Sequence, residues 1–232
     1  MHFTKSELNI LKNFADINEQ MVFKIGHEIW SVHKEGIIVA QSKVEEKITK
    51  RFAIADMRQF IGILSSFENP KIYLKEKYLV VSEDQREVKY TYGDETYMQN
   101  SMLPDDQTMD IPPAKLIFKL TENDMKQITR LANVLVIPHI AVVGEKGKIF
   151  FRGYDTKNST GNVYNHQVGT TEYDFTSVFA TDIINKLLIA DYDVAIGPND
   201  DNVGIIKMTS KDVTYYILPL AENSTFGGGK IL

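Results

Sequence analysis

The chain contains no cysteine, and that absence removes disulfides, thiolate metal sites and cysteine nucleophiles at once. Such a composition fits a reducing compartment. Long apolar runs are missing too: Val134 to Ile137 and Ile183 to Ala190 fall far short of the roughly 18 to 20 residues a membrane span needs, so no membrane contact is expected. The stretch Met1-His2-Phe3-Thr4-Lys5 leads straight into an amphipathic pattern without the apolar core and cleavage site of a secretory signal, and a cytoplasmic location is expected. Net positive charge is also lacking. With 26 basic against 31 acidic residues the formal charge is −5, and bulk electrostatics supplies no general attraction to nucleic acid. Any contact with phosphate must come from local placement of charge.

Signatures of chemistry are equally scarce. His2, His27, His33, His139 and His166 show no metal-ligand spacing, so neither a metal nor another cofactor is expected. Gly227 to Gly229 has no helix after it and cannot form a phosphate-cradling loop. Asp191 and Asp193 flank Tyr192 where a helix hands over to a strand, which favours turn chemistry over a magnesium site. No set of catalytic residues can be assembled, and the chain reads as a non-enzyme.

What is present is a 232-residue chain, 43% hydrophobic and 25% charged, long enough for two modest cores. Leu8, Leu11, Phe14 and Ala15 recur at helical spacing between Thr4 and about Asn18, with Thr4 and Glu7 in the capping-box pattern. Extended runs follow at Met21 to Ile25, Ile29 to His33, Ile37 to Gln41 and Ile48 to Ile54. A second helix begins near Asp56, with Met57, Phe60, Ile61 and Leu64 as its stripe, and strands are expected at Lys71 to Leu74, Tyr78 to Ser82 and Glu87 to Tyr92. Residues Gly93 to Pro113 are rich in proline, acidic and amide residues and read as a connector.

Beyond it the pattern restarts: a strand at Lys115 to Leu120, a helix from Thr121 to about Asn133, strands to Phe179, a helix over Thr181 to Ala190, and three more strands to Leu220. Shifting the first helix by 117 positions places Thr4 on Thr121, Leu8 on Met125, Leu11 on Ile128, Phe14 on Leu131, Ala15 on Ala132 and Ile17 on Val134. The second helices are offset by 126, and the polar loop after Tyr154 is where the difference is most cheaply absorbed. The expected organisation is therefore residues 1–93, a connector 94–113, residues 114–225, and a flexible tail 226–232. The fold class is α+β, two similar domains each with two helices on antiparallel sheet.

At about 100° per residue, Asn9 and Asn13 centre the outward face of the first helix, flanked by Lys5 and Lys12. Lys126 and Arg130 centre that of the third, Arg58 lies outward on the second, and Lys186 on the fourth. Two readings stand: ordinary solvated faces, or a surface that meets phosphate.

The segments Leu11-Lys12-Asn13-Phe14-Ala15-Asp16-Ile17-Asn18, Phe60-Ile61-Gly62-Ile63-Leu64-Ser65 and Tyr216 to Thr225, which ends Ala221-Glu222-Asn223-Ser224-Thr225, resemble the sliding clamps of T-even type bacteriophages. The resemblance spans both ends of the chain in order, while the stretch from about Lys71 to Lys115 matches in pattern only. It implies the DNA-clamp (processivity) fold and a homotrimeric ring around double-stranded DNA. It also implies tethering of a replicative DNA polymerase, loading by an ATP-driven clamp loader, and service to sigma-like late transcription factors. Under it, Lys5, Lys12, Arg58, Lys126, Arg130 and Lys186 would face DNA. A partner-peptide site is expected around Met98, Met102, Leu103, Met109, Ile217, Leu218 and Leu220, although the connector methionines could equally pin the linker to a core. The tail Phe226 to Leu232 departs from the family pattern. The competing class is a single-stranded nucleic-acid-binding module that stacks bases on some of its 11 Tyr and 12 Phe.

Overall fold

Thr4 starts the first helix as its spacing to Glu7 predicts. Its hydroxyl accepts from the Glu7 N–H at 3.2 Å, while the Glu7 carboxylate accepts from the Thr4 N–H at 2.6 Å, satisfying two otherwise orphaned donors. Helix α1 (Lys5–Ile17) then buries Ile10, Leu11, Phe14 and Ile17. The structure, a computed structural model, describes residues 1–98, 109–158 and 160–227. The chain divides into two compact units, Met1–Gln107 and Thr108–Leu232.

In the first unit α1 is followed by β1 (Met21–Phe23), β2 (Gly26–Val32), β3 (Ile38–Ile48), β4 (Phe52–Ile54), α2 (Met57–Ser65), β5 (Lys71–Leu74), β6 (Tyr78–Glu83) and β7 (Arg86–Thr91). Strand β1 pairs with β4 and β2 with β3, while β5, β6 and β7 form a meander, all antiparallel. Asp56 caps α2 by accepting from the Gln59 N–H at 2.8 Å. The core is aromatic: Phe23 stacks on Phe52 with centroids 4.6 Å apart and meets Phe60 edge-on at 6.4 Å. Strand β3 runs well past the expected Gln41. Its second half, Ser42 to Lys47, carries Val44 inward among exposed charges, an alternation too polar to stand out as apolar signal.

The second unit repeats this order after an added first strand, β8 (Leu116–Leu120). It continues with α3 (Glu122–Val134), β9 (His139–Glu145), β10 (Lys148–Tyr154), β11 (Tyr164–Thr170), β12 (Phe175–Ala180), α4 (Thr181–Ile184), β13 (Tyr192–Pro198), β14 (Gly204–Thr209) and β15 (Val213–Ile217). Strand β9 pairs with β12 as β1 does with β4, β10 with β11 as β2 with β3, and β13, β14 and β15 form the second meander. Strand β8 lies against β13. Thr121 and Asp124 form a second capping box at the position of Thr4 and Glu7. The β10–β11 connection, residues 155–163, is longer than its counterpart at 33–37, in the place the offset of the second helices points to.

Three expectations fail in this unit. Helix α4 is one turn, not the ten residues read from Thr181 to Ala190. Two tyrosines take the backbone groups of Leu188 that a longer helix would use: its N–H donates to the Tyr215 hydroxyl at 3.2 Å and its carbonyl accepts from Tyr192 at 2.6 Å. Leu131 and Val134, mapped onto the buried Phe14 and Ile17, are 39% and 70% exposed. With α4 so short, the C-terminal end of α3 lacks the cover that nine-residue α2 gives α1. The tail is anchored at its start, since Phe226 is buried against Phe175 and Tyr173 in β16 (Thr225–Phe226), which pairs with β12. Residues 228–232 lie outside the described residues.

Helix α3 ends in a Schellman arrangement. The Ile137 N–H donates to the Ala132 carbonyl at 2.9 Å and the Val136 N–H to Asn133 at 3.2 Å. Val136 occupies the left-handed position with φ 52°, where glycine is usual, and is 85% exposed.

Candidate functional site

The helix-borne cations are held up by the capping boxes and core stripes just described, and the structure sorts them into three groups. Lys5, Lys12 and Arg130 are exposed, with no hydrogen bond or ion pair among the described residues. Arg58 on α2 reaches across to Asp16 on α1 at 3.3 Å, and Lys126 pairs with Glu122 one turn earlier on α3. Lys186 is half-buried, engaged by its surroundings, and stands beyond the last helical residue of α4.

Asn13, read as outward, is instead buried. That flank of α1 is where α2 packs, as the Asp16–Arg58 pair shows. A corresponding bridge occurs in the second unit. Asn133, at the Asp16 position after the shift of 117, exchanges side-chain hydrogen bonds with Asn185 at 2.9 and 3.3 Å.

The N3 carboxylates of both capping boxes also tie helix to strand. Glu7, buried, accepts from the Glu45 N–H of β3 at 2.6 Å, and Asp124 accepts from His166 of β11 at 2.7 Å. Burial pushes the Asp124 carboxyl up, but hydrogen bonds from Thr121 and His166 outweigh it and hold it below the usual carboxylate range. The Thr121 start of α3 is further served by Asp191, which accepts from the Glu122 N–H at 2.7 Å, while Asp193 pairs with Lys119 at 2.7 Å. Both carboxylates read as turn residues therefore have protein partners. An open groove of about 510 Å³ lies beside them, lined also by Thr209, Ser210 and Lys211. Among the described residues no group of three or more acidic or histidine side chains could hold a metal ion.

The partner-peptide residues fall apart. Met98 is 2% exposed and packs with Val22 and Ala53 inside the first unit, close to Gly93, so it pins the chain to a core rather than offering a surface. Ile217 is likewise buried. Leu218 is exposed, and Leu220 lies half-buried with Tyr154 over the cluster of Ala141, Val143 and Val178, while Met109 is half-buried. Met102 and Leu103 lie outside the described residues. Tyr154 was not foreseen. Its place in a strand end next to a polar loop gives no apolar pattern to read.

Aromatic stacking surface is scant. The large rings Phe14, Phe23, Phe52, Phe60, Phe151, Phe175, Phe179, Tyr192 and Tyr215 are fully buried, and among the described residues only Tyr73 and Tyr97 are exposed. Single-stranded recognition by a row of rings finds no platform there. None of the described helices is long and apolar enough to cross a membrane, a statement that leaves strand-built spans aside.

No protein-family profile matches the chain. In sequence it is 25% identical over 226 residues to the sliding clamp of Vibrio phage KVP40, covering 94% of this chain and 98% of that one. It is 25% identical over 230 residues to the sliding clamp of Escherichia phage RB69, covering 97% and 99%. Among solved structures, the β clamp of Helicobacter pylori bound to a DNA ligase peptide matches with a TM-score of 0.69 at 14% identity, over 95% of this chain and 65% of that one. The PCNA of Thermococcus kodakaraensis matches with a TM-score of 0.66 at 13% identity, over 95% and 99%. The chain therefore has the fold of the DNA sliding clamps, and along nearly its whole length its sequence is similar to the sliding clamps of T4-like phages.

Proposed function

We propose that the chain is one subunit of a homotrimeric sliding clamp that encircles double-stranded DNA and tethers a replicative DNA polymerase. The observation that carries this is the near full-length similarity to phage sliding clamps, in a chain whose two units repeat one helix-and-strand order. The charge pattern supports it. A ring must surround phosphate without gripping it, and a few cations on helices of a chain with net charge −5 suit that task better than a basic patch would. Retention then comes from topology and not from affinity. Lys5, Lys12 and Arg130, with Arg58, Lys126 and Lys186, are the proposed DNA-facing cations. No catalytic chemistry is assigned.

Partners that carry peptide tails would dock at Leu218 and Leu220 with Tyr154 and Met109, as the Helicobacter pylori β clamp holds a DNA ligase peptide. An ATP-driven loader and sigma-like late transcription factors belong to the same proposal, set in the cytoplasm of an infected bacterium. Light scattering across a range of concentrations tests the ring: a mass near three times 26.4 kDa supports it, and a monomer persisting at high concentration refutes it. Replacing Lys126 and Arg130 with Glu leaves that mass unchanged and reduces clamp-dependent polymerase processivity. Unaltered processivity would remove both from the interface.

A further inference from the structure

Beside the point where β16 ends, the second unit has an open groove of about 510 Å³. It is lined by Lys115 and Ile117 at the start of β8 and by Thr170, Glu172 and Tyr173 at the end of β11 and just beyond it. Strand β8 is paired on one side only, with β13, and the Ile117 side chain on it is 72% exposed. An apolar residue on an open sheet edge invites pairing with another chain unless something covers it. Lys115 and Glu172 are exposed, and neither side chain has a hydrogen bond or ion pair among the described residues. The groove therefore offers an uncovered apolar side chain, a free carboxylate and a free ammonium group.

The chain itself arrives at this rim. The Gly227 N–H donates to the Asp174 carbonyl at 3.0 Å, and the Phe226 ring lies 5.8 Å from that of Tyr173, which lines the groove. At φ 76° Gly227 takes the left-handed conformation that glycine allows, so the chain turns out of β16 there. The residues that follow read Gly228-Gly229-Lys230-Ile231-Leu232. Five residues reach at most roughly 16–18 Å, enough to enter a groove whose rim is already in contact with Phe226.

We propose that residues 230–232 dock in this groove of their own chain, with Lys230 paired to Glu172 and with Ile231 and Leu232 laid over Ile117 and the Tyr173 ring. The two glycines let the chain turn without steric cost. Lys115 repels Lys230, which leaves Glu172 as the partner the groove provides. The pair of apolar residues after the cation supplies the cover that Ile117 lacks. So seated, the tail closes the open edge of β8 against another chain. Docking of the tail goes beyond the proposed clamp function and does not depend on it.

Zero-length carbodiimide coupling of the full chain, read by peptide mass spectrometry, tests the seat. Lys230 becomes linked to Glu172, and the linked product runs at the mass of one chain on a denaturing gel. Ile117→Ser and, separately, Leu232→Ser lower the yield of that link several-fold, because each removes apolar cover while both charges stay in place. Ile117 is exposed, so its replacement leaves the core intact; should it fail to fold, Leu232→Ser carries the same comparison. A link found only in a two-chain product would mean that the tail sits on a second copy. A yield indifferent to both serine substitutions would mean that the charges meet without a seat, and no link at all would mean no docking. Each of these three outcomes overturns the proposal. Solution mass tests the ring separately, so a monomer with a docked tail counts against the clamp alone and a trimer without one counts against the tail alone.

Discussion

Replacing Val136 with glycine is expected to stabilise the protein, although it deletes a whole side chain. Val136 closes α3 in the left-handed region at φ 52°, where an L-residue costs about 1–2 kcal/mol and a β-branched one sits at the upper end of that range. Its side chain is 85% exposed, so little apolar burial is lost with it. Against the relieved strain stands the extra freedom glycine gives the unfolded chain, about 0.4–1 kcal/mol. The balance favours Val136→Gly by roughly 0.5–1 kcal/mol. Urea unfolding followed by circular dichroism at fixed protein concentration reads this as a higher midpoint at constant slope. Val134→Gly is the internal comparison: Val134 is the last residue of α3 with ordinary helical geometry, so the same deletion there lowers the midpoint. A fall in midpoint for Val136→Gly with an unchanged slope would refute the claim that this turn is strained.

Other glycine positions give sharper contrasts. A methyl group at Gly144 would run into the Phe175 ring and the Tyr173 carbonyl, so Gly144→Ala costs about 1–3 kcal/mol; at Gly62, on the open face of α2, nothing lies within 4 Å and alanine gains roughly 0.5–1 kcal/mol. Both are read from the same urea midpoints. Acid should act on the second unit through Glu145, whose carboxyl is held below its ordinary range by a hydrogen bond from Arg152 and by the nearby charges of Arg152 and Lys146, against a smaller upward push from burial. Because the folded-state value is depressed, the stabilisation is complete above the ordinary glutamate range and disappears as pH falls through the depressed value. Glu145→Gln therefore lowers the midpoint near neutrality and converges with the unaltered chain in acid; a constant gap across the range would exclude the ion pair as the cause.

Much of the fold was legible because its helix starts are written in local chemistry. Thr4 with Glu7, Asp56 and Thr121 all cap where the pattern places them, since a capping side chain and its target lie within one turn. The C-terminal ends were less legible. Val136 fills a glycine position without announcing it, and α4 stops at Ile184, while Tyr192 and Tyr215 hold the backbone of Leu188 beyond it, the second from 27 residues away. Burial of the cations' neighbours was also beyond a helical wheel. Asn13 lies on an arc that is outward for an isolated helix, yet it is buried once α1 packs against its neighbours, α2 among them. For Met98 composition left two readings open, and its packing with Val22 and Ala53 decides for the core.

The two N3 carboxylates have a consequence for how this chain can vary. Glu7 is long enough to cap its helix and still reach a backbone N–H on β3. Asp124, one methylene shorter, does both jobs only because His166 extends toward it from β11. Reach lost on the helix is restored on the strand, so the two positions form one unit of inheritance. Glu at position 124 would crowd His166, and a short residue at 166 would strand Asp124, which leaves drift in one domain obliged to move by paired steps while the other, served by its backbone, is free to change the residue at position 45.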